Sequence, residues 1–146
     1  MGQFRKFNFA EIQQTISLSS PSSGVYVGCD SKLSGAYTIF GLVLVIHIDS
    51  HHGGMVFGEK KIVEHRLAMS ERLMREVDYA MDCAFQITDA VDNRNFEVHL
   101  DINPNPTYKS NKVMKQAVAY VKAQGFNYKI KPGAWAASTA ADYLIS

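Results

Sequence analysis

Val25-Tyr-Val-Gly-Cys-Asp30 and Tyr37-Thr-Ile-Phe-Gly-Leu-Val-Leu-Val-Ile-His-Ile48 decide how this chain folds. In the first stretch Val25, Val27 and Cys29 alternate with Tyr26, Gly28 and Asp30, the two-residue period of a strand. The second is rich in Val, Ile and Leu without alternation, as a strand covered on both faces is. Asp49-Ser-His-His-Gly-Gly54 then supplies a reversal, and Met55 to about His65 returns as a third strand. Three strands joined by short turns predict an antiparallel meander.

After Leu67 the period changes. Leu73, Val77, Ala80, Ala84, Ile87 and Val91 recur every three or four residues, which predicts a long amphipathic helix. Phe96 to Asp101 reads as a fourth strand, ended by Asn103-Pro104-Asn105-Pro106. Ser110 suits the cap of a helix running to about Gln124, with Gly125 as its stop. Tyr128 to Lys131 makes a short fifth strand, and Ala136 to Leu144 a last helix. The order β-β-β-α-β-α-β-α predicts an α/β fold: a mixed five-stranded sheet, three strands in the meander and two parallel, with helices on its faces. Residues 1–24 read as an arm or linker ending in a Ser-rich turn, and residues 25–146 as the one domain. Phe9, Ile12 and Ile16 at helical spacing leave room for a short docking helix in that arm.

The 146 residues are enough for a single buried core, and 47% hydrophobic with 20% charged residues excludes a disordered chain or a coiled coil. No apolar run reaches the roughly 18 residues that a membrane helix needs. Without a signal-peptide pattern, and with only Cys29 and Cys83, the chain is expected in the cytoplasm with reduced thiols. The net charge of +1 hides an asymmetry. Residues 1–100 carry 9 basic and 12 acidic side chains, whereas residues 101–146 carry 6 lysines and 2 aspartates. Such a basic second half suits a polyanionic partner, and equally a solvated lysine face on one helix.

Strand four pairs most simply in parallel beside strand one. That places Asp30 and Asp101, each read as the last residue of its strand, at the edge where open α/β sheets bind ligands. Helical phase sorts the other acids at about 100° per residue. With Leu73 as zero, Glu71, Asp78, Asp82 and Asp89 fall about 140° or more from the apolar stripe, on the solvent side. Glu76 lies at about 60°, on the border of the buried face. Asp142 sits among Ala137, Ala140 and Ala141, whose small side chains let a helix approach a sheet closely.

Asp30, Glu76, Asp101 and Asp142 therefore form the candidate constellation. Two unit charges about 4 Å apart repel by about 1 kcal/mol in water and about 4 kcal/mol at an effective dielectric of 20. A bound divalent cation turns that cost into a reason for the arrangement, and all-oxygen donors select Mg²⁺ or Mn²⁺. Two such ions suit in-line phosphoryl displacement. A proton shared between carboxylates is the alternative outcome, and would suit acid–base chemistry.

The order strand–Asp, meander, helix–Glu, strand–Asp, late helix–Asp resembles the ribonuclease H-like superfamily. Val25-Tyr-Val-Gly-Cys-Asp30-Ser-Lys32, Val98-His-Leu-Asp101-Ile102 and Lys129-Ile-Lys-Pro-Gly-Ala-Trp-Ala-Ala-Ser138 are similar, more closely, to the YkuK-like family of predicted ribonuclease H-like nucleases. The resemblance runs over about residues 25–143. It implies an RNase H-like fold and two-metal phosphodiester hydrolysis. By position, Asp30 would bridge both metals, Glu76 and Asp101 would complete the ligands, and Asp142 would hold the second metal. Gly133 follows Lys131-Pro132 where that family often carries an acid, which leaves the fourth ligand open.

RNA, in an RNA–DNA hybrid or a structured duplex, is the expected substrate. Lys32 after Asp30, and Lys109 and Lys112 after the Asp101 loop, are candidates for phosphate contacts. Asn103 and Asn105 are turn formers that also suit a sugar hydroxyl. Trp135 and Tyr108 suit either a base or the core. The five histidines give no convincing zinc set, His51 and His52 lying in the Gly-rich reversal, and Cys29 points to the core face. The alternatives are a non-catalytic module of this fold that binds nucleic acid or protein, and a subunit that forms a homodimer through residues 1–24.

Overall fold

The computed structural model describes residues 4–48, 53–105 and 111–146. Helix α1 (Phe9–Leu18) precedes the meander β1 (Gly24–Ser34), β2 (Tyr37–His47) and β3 (Gly54–Val63). Then come α2 (Met69–Val91), β4 (Asn95–His99), α3 (Asn111–Ala123) and β5 (Asn127–Lys129). The chain closes in α4, a wide π-type turn over Ala136–Ala141 that continues into α-helical Asp142–Ile145. The five strands form one mixed sheet in the order β3-β2-β1-β4-β5. β1 pairs antiparallel with β2, and β2 with β3; β1 pairs parallel with β4, and β4 with β5. Both parallel connections run through a helix, as parallel neighbours require. This is the α/β, RNase H-like arrangement that the sequence order predicts.

β1 is longer than its apolar pattern. The Ser31–Ser34 segment pairs residue by residue with Tyr37–Phe40 across a two-residue turn, where Gly35 takes a φ of +58°. Asp30 is therefore inside a strand, not at its end. Asp101 lies two residues beyond the end of β4, because an Ile102 N–H to Leu100 C=O bond of 2.8 Å closes a tight turn centred on it. The Gly28–His99 pair is the last between β1 and β4, and two residues further along the chain from each partner come Asp30 and Asp101.

Each side of the sheet has its own helices. Val25, Val27 and Cys29 face a core shared with Val77, Met81, Ala84 and Ile87 of α2 and with Ala117 and Val121 of α3. Ile12 and Ile16 of α1 are fully buried in that same core. The stretch read as an arm thus turns its apolar helix face onto its own chain, and Arg94 ties the helix end down through Ser19 Oγ and O. Glu71, Asp78, Asp82 and Asp89 are exposed and Glu76 is buried, in keeping with their phases along α2.

The opposite side is covered by α4. A Cβ on Gly28 would stand 2.5 Å from the Ala137 backbone nitrogen and 2.7 Å from the Ala136 carbonyl carbon, so only glycine lets the helix sit this low. Ala136, Ala140 and Ala141 pack there with Val43. The helix is pinned by His99, whose Nδ1 accepts the Ala136 N–H at 3.0 Å. Among the described residues no helix is long and apolar enough to cross a membrane.

Candidate functional site

Three of the four predicted carboxylates converge. Asp30, Glu76 and Asp101 each place one oxygen within 4.8 Å of the others, at a cleft of about 150 Å³ that Arg72, Leu73 and Met114 also line. They arrive from different directions. Asp30 projects from the α4 side of β1 and Asp101 from the turn after β4, while Glu76 descends from α2 on the other side.

The neighbours of these groups set their chemistry. Asp30 Oδ1 accepts the Ser31 N–H at 2.8 Å. Ser31, next in the strand, faces the other way and its hydroxyl donates to Glu76 Oε2 at 2.5 Å. Arg72, one helical turn before Glu76, donates from Nε to Ser31 Oγ at 3.1 Å and from Nη2 to Ser31 O at 2.9 Å. Lys131 Nζ lies 3.0 Å from Asp101 Oδ1. That oxygen is buried, and Lys131 is its cationic partner.

Burial, then the charge of Asp101 and a hydrogen bond with it, push the Asp30 carboxyl up to about 7, against the pull of the Ser31 N–H; Asp142 adds a smaller upward push. Glu76 is also held well above the usual carboxylate range, by burial first and then by Asp30 and Asp101, while the Ser31 hydroxyl and Arg72 oppose this. The protein thus gathers negative charge that its own cations only partly balance.

Asp142 stands apart from the triad. It is exposed at the start of the last helical turn, near enough for its charge to act on Asp30. Lys32 is half-buried two residues beyond Asp30 on the same face of β1, and Lys112 is exposed in the first turn of α3. Lys109 and Tyr108 lie outside the described residues. Trp135 is partly exposed and packs on Tyr26, with ring centroids 4.9 Å apart. His99 is buried: with the Ala136 N–H on Nδ1, its proton sits on Nε2 and is donated to Glu97 Oε1 at 2.9 Å. Burial lowers its pKa despite Glu97, so the imidazole is neutral and structural. Cys29 is buried, and burial first and Glu76 second push its thiol up, away from nucleophilic use.

A carboxylate triad on this sheet order, reached by β1, α2 and the turn after β4, is accompanied by a match over residues 8–145 to the family model described as Ribonuclease H-like. The chain belongs to the ribonuclease H-like family. The match begins ahead of α1 and takes in nearly the whole chain. Among solved structures, this ribonuclease H-like chain is similar to the N-terminal RNase H domain of a Mycobacterium tuberculosis protein, solved as a fusion with maltose-binding protein. The TM-score is 0.46 at 20% identity, covering 84% of this chain and 91% of that one. It is also similar to the protease–reverse transcriptase of prototype foamy virus, with a TM-score of 0.43 and 14% identity, over 87% of this chain and 21% of that one. No curated protein matches it.

Ser31, Arg72 and Lys131 are site neighbours that the sequence does not mark as such. Arg72 carried a usable signal, since its four-residue spacing from Glu76 puts both on one stripe of α2. Ser31 carried none beyond its adjacency to Asp30.

Proposed function

We propose that this chain is a divalent-metal-dependent nuclease that hydrolyses phosphodiester bonds. We take RNA, in an RNA–DNA hybrid or a structured duplex, as its substrate, and place the chain beside the YkuK-like members of its family on the Lys129–Ser138 stretch. One observation carries the reading: Asp30, Glu76 and Asp101 bring three carboxylates within 4.8 Å of one another. Like charges held this close repel, by about 4 kcal/mol for a pair about 4 Å apart at an effective dielectric of 20. A divalent cation would offset that repulsion, which Lys131 alone balances only in part.

The donor set fits Mg²⁺ or Mn²⁺, being all carboxylate oxygen with no thiolate or imidazole. When bound, a pair of such ions supplies polarisation of the phosphoryl group and a nucleophile at neutral pH. Asp30, Glu76 and Asp101 would hold the metal, with Asp30 the ligand shared between two ions, and Asp142 would be a fourth carboxylate at the exposed rim. Lys131 balances part of the charge on Asp101 from the rim. Lys32, Lys109 and Lys112 are the candidate phosphate contacts beside the site, positioning a strand without reading its sequence.

The test is cleavage of labelled RNA–DNA hybrid, double-stranded RNA, double-stranded DNA and single strands, each with EDTA, Mg²⁺ or Mn²⁺. Metal-dependent cutting of the hybrid or of structured RNA is the expected result. Binding of these nucleic acids without cutting any of them would replace the reading with that of a non-catalytic module.

A further inference from the structure

Ser31 and Arg72 form a built feature that the metal-ligand reading does not use. The residue after Asp30 touches two of the three carboxylates at once: its amide N–H bonds Asp30 Oδ1 at 2.8 Å, and its hydroxyl bonds Glu76 Oε2. Ser31 is itself held at two points, its Oγ and its carbonyl oxygen, by Nε and Nη2 of Arg72. A serine in a strand holds its hydroxyl in one of three staggered rotamers. The guanidinium fork fixes which one, because a planar two-point donor tolerates little rotation. Ser31 is 7% exposed and Glu76 8%, so water does not compete for these bonds.

We propose that Ser31, braced by Arg72, is the positioning residue of the carboxylate site. It occupies one oxygen of Asp30 and one of Glu76, and so leaves the other oxygen of each to face a cation. The inference rests on the metal-ligand reading above and assigns the residue that fixes its geometry. Glu76 needs such a device. It is carried on α2, whereas Asp30 is carried on β1, so the relative placement of the two depends on how the helix sits on the sheet. The Arg72–Ser31–Glu76 chain runs from helix to strand and back to the same helix, locking the two elements together at the site. Mg²⁺ demands near-ideal octahedral geometry, so a loosened Glu76 weakens Mg²⁺ more than the more tolerant Ca²⁺.

The experiment measures Mn²⁺ affinity by electron paramagnetic resonance, and Mg²⁺ and Ca²⁺ by competition against it, on the full chain. The set is the unaltered protein, Ser31→Ala, Ser31→Thr, Arg72→Ala and the Ser31→Ala/Arg72→Ala double variant. Ser31→Ala is expected to weaken Mn²⁺ by about 10–100-fold, the range for groups that orient metal ligands. It should weaken Mg²⁺ by more than Ca²⁺. Ser31→Thr keeps the hydroxyl and restores the affinity, which a purely packing role would not predict. Because Arg72 acts through Ser31, Arg72→Ala should weaken Mn²⁺ alone but add little in the Ser31→Ala background. Unchanged affinity in Ser31→Ala, or effects of the two substitutions that simply add, would overturn the positioning role while the metal-ligand reading stands. Failure of the unaltered protein to bind any of the three ions would overturn both.

Discussion

Replacing Asp30 with asparagine should stabilise the metal-free protein, and the amount can be worked from its surroundings. Burial and the neighbouring Asp101 raise its pKa from 3.8 to about 7. Between these values the folded state binds a proton that the unfolded state does not, so ionising Asp30 costs folding free energy as pH rises. The penalty is near zero below the unfolded pKa and complete above the folded one. Taken at face value the shift is roughly 4 kcal/mol at about 1.36 per pH unit. Asp30 is only half-buried, so screening reduces this to about 1–3 kcal/mol. The asparagine side chain imitates the protonated acid: its amide oxygen accepts the Ser31 N–H and its NH₂ donates to Asp101. In EDTA at pH 8, Asp30→Asn should therefore melt roughly 3–10 °C above the unaltered protein. At pH 4.5 the gap should shrink to about a quarter of that. The comparison between the two proteins is needed because neutral His99, with its lowered pKa, destabilises both as pH falls below about 6.5. Adding Mn²⁺ should raise the melting temperature of the unaltered protein and much less that of Asp30→Asn. A variant that melts several degrees lower in EDTA at pH 8, or that gains as much from Mn²⁺, would refute the reasoning.

Three other substitutions probe the parts that carry the site. Gly28→Ala drives a methyl into the Ala136–Ala137 backbone and should cost about 2 kcal/mol or more, the upper range for overpacking, read as a lower urea midpoint. Ile16→Ala empties a fully buried position of α1 and should destabilise by about 2–5 kcal/mol in the same assay, where an exposed arm would show almost nothing. Lys131→Ala removes a partly exposed ion-pair partner of Asp101. It should change stability by under about 1 kcal/mol and lower Mn²⁺ affinity little or raise it, as a titration of the variant would show.

How much of this was legible beforehand depends on which physical signal each part carried. The sheet order follows from strand periods and turn residues, because antiparallel hairpins need short reversals and parallel neighbours need a helical crossover. Glu76 was legible from helical phase alone, since α2 is regular through its length. The meeting of Asp30 and Asp101 followed from pairing strands one and four in parallel, although neither residue ends its strand. Ser31–Ser34 extends β1 by backbone pairing and a glycine turn, and no apolar alternation marks it. α1 looked like part of a linker because the Ser-rich stretch behind it dominates the composition, while two isoleucines carry its packing. The wide turn over Ala136–Ala141 breaks the regular 100° step, so the direction of Asp142 could not be counted from its neighbours. Ser31 becomes visible only when side-chain atoms have positions, because its role lies in bonds to residues 41 and 45 positions away.

The most direct test of the central claim is the initial rate of RNA–DNA hybrid cleavage in Mg²⁺, compared between the unaltered protein and Asp30→Asn. Cleavage that needs the metal and falls at least about a thousandfold (about 4 kcal/mol of barrier) in a variant that remains folded is the predicted result. Equal rates in the two proteins, or cutting that persists in EDTA, would contradict a metal-dependent nuclease centred on Asp30.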